Sequence, residues 1–417
     1  MVDFVDVRDA KPRSWQVAAD DWVVLARELE QAANDIFDRG AAAVGEHWTD
    51  EVGERAARRL TELATSFQVA AATVRGVVLT LDGLGEAVEA VQRVLHSAID
   101  YATAHGFLID AAGRVSQPPG VDCAEDAHRV DQANAIIAEA VESAARIDDE
   151  AADEFARLAR AVADTDLGHA LNATQHSASL NQLRMLRESL PLGRDPATVA
   201  AWWGALTSDQ RSAYERALPV ELADLDGIPD DVERRLRGGD GYNAVEAVRW
   251  ARANTHNDDI DIFDNNCANF VSHALSAGGL DHKTDFWLGT FSDDSWTEGA
   301  QTGFDWLDAR DYSHSASWAQ AEAQRQFFLD NGGAQVALAD ARPGDIVYWV
   351  QDGPGGPTDP GNAHHAALVT AVTPDDGIHY TQHTNPMQDA GLDGRLPATE
   401  VTEGDQRIVV VRPKQTW

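Results

Sequence analysis

Cys267 and His365 are the two residues of this 417-residue chain whose types and surroundings best suit nucleophilic chemistry. Cys267 lies in Phe263-Asp264-Asn265-Asn266-Cys267-Ala268-Asn269-Phe270-Val271-Ser272. Phe270, Val271, Ala274 and Leu275 follow it at the spacing of one apolar helical stripe. That puts Cys267 in the first turn of a helix, where unpaired N–H groups and the helix dipole favour an anion. A thiol so placed ionises more readily and becomes a nucleophile near neutral pH. Asp264 or Asn265 is placed to cap the helix. The Cys267 amide, with the Asn266 side chain as a second candidate, is placed to donate to an oxyanion. Taken alone, a cysteine at a helix start reads more readily as a small buried residue.

His365 shifts that balance. It opens the apolar strand His365-Ala366-Ala367-Leu368-Val369-Thr370, after a glycine- and proline-rich loop over 353–361. A histidine at the mouth of a strand faces a cleft while the strand holds its backbone still. On the next strand Tyr380, Gln382 and Thr384 share one face, and His379, Thr381 and His383 the other. His383, or Asn385 just past the strand end, is placed to hold the far nitrogen of His365 and fix its tautomer. His364, His365, His379 and His383 raise the competing idea of a zinc site. With no HExxH helix and no paired cysteines, neither a metal nor a cofactor is expected. His364 and His379 read as surface or structural residues, and Cys123 as an inert thiol.

The elements that must carry these residues follow from pattern. Helices are expected over 242–254, 266–277 (stopped by Gly278-Gly279) and 315–329. Strands are expected over 345–350, 365–372, 378–384 and 407–412. Helices first and antiparallel strands after make an α+β domain. Residues 286–312 are aromatic and irregular. Trp287, Trp296, Trp306, Tyr312 and Trp318 combine core packing with one wall of a groove.

Several motifs recur here in order: Tyr242-x-x-x-x-Ala247-Val248-x-Trp250-Ala251, Asn266-Cys267-x-Asn269-Phe270-Val271-Ser272, Gly278-Gly279, Trp318, Pro343-Gly344-Asp345-Ile346-Val347, His365-x-Ala367-Leu368-Val369-Thr370 and His383-Thr384. Together they resemble the putative amidase domain family of bacterial proteins, related to the NlpC-type and CHAP cell-wall hydrolases. The resemblance covers nearly all of 240–417. It implies a papain-like fold with Cys267 as nucleophile, His365 as general base and His383 as third member. The family usually carries aspartate where this chain has Asn266, and often threonine where it has Ala268.

The first 165 residues read as long helices. Trp15, Ala18, Trp22, Leu25, Leu29, Ala32 and Ile36 form one seam. Val52, Ala56, Leu60, Leu63, Phe67, Ala70, Val74, Val77, Leu81, Leu84, Val88, Val91 and Leu95 form a second. Gly76, Gly83 and Gly85 weaken the middle of that helix and are expected to bend it. Thr49 or Asp50 caps it, giving an antiparallel hairpin with Trp48 at the tip. The pattern resembles the WXG-type substrates of type VII secretion. Gly106 to Ser116 and the alanine-rich helix to about 164 resemble the extended form in actinobacterial polymorphic toxins. The third motif position is Asp50 rather than glycine, and no clear export signal follows the hairpin. The resemblance implies the secretion machinery or a helical chaperone as partner, and an immunity protein for a toxin. The expected organisation is a multidomain chain: a helical arm (1–165), a helical connector (166–239) and a papain-like domain (240–417). Pro191, Pro196, Pro219 and Pro229 cut the connector into short helices around Trp202 and Trp203.

Charge bounds the partners. Acidic residues number 69 against 33 basic, for a net charge of −36. That disfavours nucleic acid and anionic lipid. No apolar run is read as a membrane span, and the N-terminus lacks the pattern of a cleavable signal peptide. The chain is therefore expected to be either cytoplasmic or exported by a route that uses no such peptide; the resemblance to type VII substrates implies export after a cytoplasmic stage. The leading expectation is an exported effector whose cysteine amidase cuts an amide in peptidoglycan stem peptides. The alternatives are a protease or deamidase toxin acting on a protein of a rival cell, and an inactive secreted structural or adaptor protein.

Overall fold

The computed structural model describes residues 2–120, 124–161, 180–263, 265–284, 292–298, 314–354, 356–374, 376–392 and 406–417. The chain forms two compact units, Met1–Gln210 and Arg211–Trp417. The first is helical. A short helix α1 (Phe4–Asp9) precedes α2 (Pro12–Asp35), a π-helical segment (Ile36–Ala42) and α3 (Ala43–His47). The 54-residue α4 (Glu51–Ala104) runs back along them. Asp50 caps α4 by accepting from the amides of Val52 and Gly53, and Trp48 sits exposed at the tip, as expected of the hairpin. A two-stranded ribbon, β1 (Leu108–Ile109) and β2 (Val115–Ser116), leads to α5 (Ala124–Ala161). A helix over 180–188, α6, and α7 (Pro196–Ala205) complete the unit. Cys123 and the first part of the stretch expected as helix over 166–190 lie outside the described residues.

The seam between α2 and α4 differs from the expected one. On α2 the buried positions are Pro12, Ala19, Ala26 and Ala33, while Trp22 and Leu25 stay exposed. The heptad spacing holds, but the contact stripe centres on alanines, which let two backbones approach more closely than tryptophan or leucine. On α4 the distal Val52 and Leu63 are exposed, whereas Val74, Val88, Val91 and Leu95 are buried. Gly83 and Gly85 sit at close contacts within an unbroken helix: a Cβ there would lie 2.7 Å from Met185 Cε and 2.9 Å from Gln16 Cγ. By length and composition alone α4 is long and apolar enough to cross a membrane, contrary to the reading that no such run exists. In this fold part of that stretch supplies the core packed against α5.

The second unit starts with short helices, α8 (Ser208–Ala217, entering from the first unit), α9 (Pro219–Ala223) and α10 (Asp230–Arg237). Then come α11 (Ala244–Asn254), α12 (Cys267–Ala277), α13 (Ala316–Ala319) and α14 (Ala321–Asp330). The helix expected over 315–329 is thus two helices, with Gln320 in extended conformation between them. Six antiparallel strands follow: β3 (Ala334–Val336), β4 (Ile346–Gln351), β5 (Ala363–Val372), β6 (Ile378–Gln382), β7 (Met387–Gly391) and β8 (Gln406–Arg412). Their order across the sheet is β3-β8-β4-β5-β6-β7. The edge strands β3 and β7 were not expected; each is short, and edge strands carry a weak alternation signal. One sheet face packs on α12 through Ile346, Tyr348, Val350, Ala366 and Leu368. The other gathers Val347, Trp349, Ala367, Val369 and Tyr380. Pro343-Gly344-Asp345 shapes the approach to β4. Gly344 has φ +95°, and the buried Asp345 carboxylate takes two bonds of 2.9 Å from Arg412 on β8.

Candidate active site

The N-terminal end of α12 is tied down by a polar loop. Cys267 is its first residue and is 4% exposed. The Cys267 amide lies 3.4 Å from Asn265 Oδ1, so Asn265 reaches the amide of the first helical residue. Asn266 is committed elsewhere. Its Oδ1 accepts from the amides of Ile262 (2.8 Å) and Phe263 (3.2 Å), and its Nδ2 donates to the Phe263 carbonyl. It closes the preceding loop on itself, which leaves it poorly suited to the oxyanion role expected of it. Asp264 lies outside the described residues.

Behind α12 a buried polar network fixes the helix against α14 and β4. Tyr348 Oη donates to Gln324 Oε1 at 3.0 Å, and Gln324 Nε2 donates to the Ala268 carbonyl and to Ser272 Oγ. Trp318 Nε1 donates to Asn269 Oδ1, whose amide in turn holds the Ile260 carbonyl. Trp296 and Trp318 are fully buried here, so they serve as core; Trp287, Trp306 and Tyr312 lie outside the described residues. Burial pushes the Tyr348 phenol well above its ordinary range, and negative charge on Cys267 adds to that rise. Tyr348 therefore stays a neutral donor within electrostatic reach of the thiol.

His365 is buried near the start of β5, paired in register with Trp349 of β4. The Trp349 ring meets the imidazole edge-to-face at 4.9 Å. The register settles which face of β6 can reach it. His365 Nε2 lies 2.8 Å from Gln382 Oε1, on the face that also carries Tyr380 and Trp349. The Gln382 amide has one sensible orientation, because its Nε2 donates to two carbonyls, Thr384 O (3.0 Å) and Asn385 O (2.9 Å). Its Oε1 therefore accepts, and His365 Nε2 is the donor.

The residues expected to orient His365 are placed differently. His383 faces α12, stacked on Phe270 at 5.8 Å. Its Nδ1 lies 2.9 Å from the Thr255 carbonyl and its Nε2 2.8 Å from Asp261 Oδ1. Both of its ring nitrogens are thus engaged with the 255–261 loop. Asn385 contributes only its carbonyl, and its backbone is left-handed (φ +52°). Sequence reasoning missed Gln382. The alternation along β6 separated its two faces, but only the pairing with β5 tells which face lies beside His365. His379 is buried, with Nδ1 3.0 Å from the Asp389 carbonyl, a structural role in keeping with expectation. Among the described residues Asp258, Asp261 and His383 form one cluster close enough to share a cation. Within it His383 Nε2 contacts Asp261 Oδ1 at 2.8 Å.

A hydrogen-bonded path joins the two halves of this site. Asn266 N donates to Thr384 Oγ1 at 2.9 Å, the Thr384 carbonyl accepts from Gln382, and Gln382 holds His365. The start of the Cys267 helix and the His365 imidazole are thus both tied to one end of β6, His365 on the sheet face that carries Trp349 and α12 on the face that carries Tyr348. Residues 241–408 match the family model described as putative amidase domain. No curated protein and no solved structure matches the chain. This chain therefore carries a C-terminal putative amidase domain together with an N-terminal helical region.

Proposed function

We propose that the C-terminal unit is a cysteine-dependent amide hydrolase, with Cys267 as nucleophile, His365 as base and Gln382 as the residue that orients the base. The observation that carries this reading is the hydrogen-bonded path from Asn266 N through Thr384 and Gln382 to His365 Nε2, which ties the start of the Cys267 helix to the imidazole. With Nε2–H donated to Gln382 Oε1, proton exchange with the thiol is assigned to Nδ1. The Cys267 thiolate attacks the amide carbonyl. The charge that develops on oxygen draws the Cys267 amide at the start of α12 away from its 3.4 Å contact with Asn265 Oδ1. His365, then protonated, gives its proton to the leaving amine, and water activated by the same imidazole clears the thioester.

The favoured substrate is an amide of peptidoglycan stem peptides, by analogy with the related cell-wall hydrolases. The helical hairpin with Trp48 at its tip supports delivery of the whole chain as a type VII substrate, with an immunity protein protecting the producer. The test is incubation of the full chain, wild type and Cys267→Ala, with purified peptidoglycan, followed by mass analysis of released fragments. New amine and carboxyl termini that depend on Cys267 are expected. A thiol-dependent product from a protein mixture but none from the wall would move the target to a protein.

A further inference from the structure

Thr384 touches both halves of the proposed site. Its hydroxyl accepts from Asn266 N (2.9 Å) and donates to Asn265 Oδ1 (3.1 Å), the same oxygen that lies 3.4 Å from the Cys267 amide. Its carbonyl accepts from Gln382 Nε2 at 3.0 Å. On one side Thr384 thus fixes the peptide that enters the nucleophile and the Asn265 oxygen that accepts from the Cys267 amide. On the other it fixes the amide that sets the tautomer of His365. It lies two residues past the end of β6, in a turn beside the left-handed Asn385, and that turn places hydroxyl and carbonyl on different partners.

We propose that Thr384 is a positioning residue for the cysteine chemistry, holding the Cys267 end of α12 in register with the His365–Gln382 pair; the inference rests on the hydrolase reading above. A displacement of about 1 Å between reacting groups costs roughly a hundredfold in rate. Thr384→Val keeps shape and carbonyl but loses the hydroxyl, whereas Thr384→Ser keeps the hydroxyl.

The experiment follows alkylation of Cys267 by iodoacetamide in the full chain between pH 5 and 8, read at the Cys267 peptide by mass spectrometry. Thermal unfolding is recorded alongside. Wild type and Thr384→Ser should share one pH profile. Thr384→Val should react roughly tenfold or more slowly at pH 6 and approach wild type only at higher pH. Asn265→Ala, which cuts the same link from the other side, should behave like Thr384→Val and supplies the measurement should the valine variant not fold. A folded Thr384→Val, or a folded Asn265→Ala, with the wild-type profile overturns the positioning role while leaving the hydrolase reading intact. A wild-type Cys267 that reacts at pH 6 no faster than in the denatured chain overturns both.

Discussion

The side-chain amide of Gln382 makes three contacts, and each has a different consequence. Two donations to the carbonyls of Thr384 and Asn385 fix its rotation, and the acceptance from His365 Nε2 passes that rotation to the imidazole. Gln382→Ala is expected to leave the sheet intact and to lower Cys267-dependent hydrolysis by about 10²- to 10⁴-fold, the range for losing a residue that holds a catalytic histidine. Gln382→Glu keeps an acceptor for His365 but sets a carboxylate against two carbonyls. Its charge also favours the imidazolium, so its rate profile should be displaced toward higher pH. An alanine variant with unchanged rate across pH 5 to 8 removes Gln382 from the mechanism. The places of Cys267 at a helix start and of His365 near a strand start were legible because their evidence is local: a polar loop before one, and a glycine- and proline-rich stretch before the other. The orienter was not, because it depends on strand register, and a bulge lies in both pairings of β5. His383 was the stronger candidate by residue type alone, yet it lies on the opposite face of β6 from Gln382.

At the scale of elements, periodicity gave the existence of the long helices and of four of the six strands, but not which residues face inward. The α2 stripe shows why. Trp15, Trp22 and Leu29 repeat at the same heptad spacing as Ala19, Ala26 and Ala33, so hydrophobicity favours the larger set while close packing selects the smaller. The hairpin tip makes a sharper test. A side chain at Gly53 would overlap the backbone carbonyl of Trp48, and backbone cannot swing aside as a side chain can. Asp50 meanwhile caps α4 through the Gly53 amide (2.9 Å), which holds the turn at its present tightness. Gly53→Ala should therefore open the tip despite the gain in helix propensity of roughly 1 kcal/mol that alanine brings elsewhere. Hydrogen exchange over 43–60 should quicken while 85–104 stays protected. Exchange unchanged at the tip contradicts the close approach. The paired control is Gly83→Ala, where the obstacle is the mobile end of Met185. That side chain can yield, and the change should lie within about 1 kcal/mol of neutral.

At the scale of the whole molecule, the net charge of −36 sets the response to salt. Two effects compete. Screening weakens local ion pairs such as Arg55–Glu51, Arg58–Glu54 and Arg235–Asp231, all with both partners largely exposed. Exposed pairs contribute only about 0–1 kcal/mol each, and helical i,i+4 pairs about 0.3–0.5 kcal/mol. Screening also relieves the mutual repulsion of the excess carboxylates, which acts over the whole surface and destabilises compact states. Buried pairs hardly enter the balance; Arg412–Asp345 and Arg252–Asp389 are shielded from solvent ions by the protein around them. With more than twice as many acids as bases, the repulsive sum outweighs the exposed pairs. Raising sodium chloride from about 10 mM, where the screening length is roughly 30 Å, toward 0.15 M, where it is about 8 Å, should raise the unfolding temperature of the chain. The gain should level off once that length falls below the spacing of neighbouring surface charges. A fall in unfolding temperature over the same range would mean that the arginine–carboxylate pairs, not the net charge, govern the stability of this acidic protein.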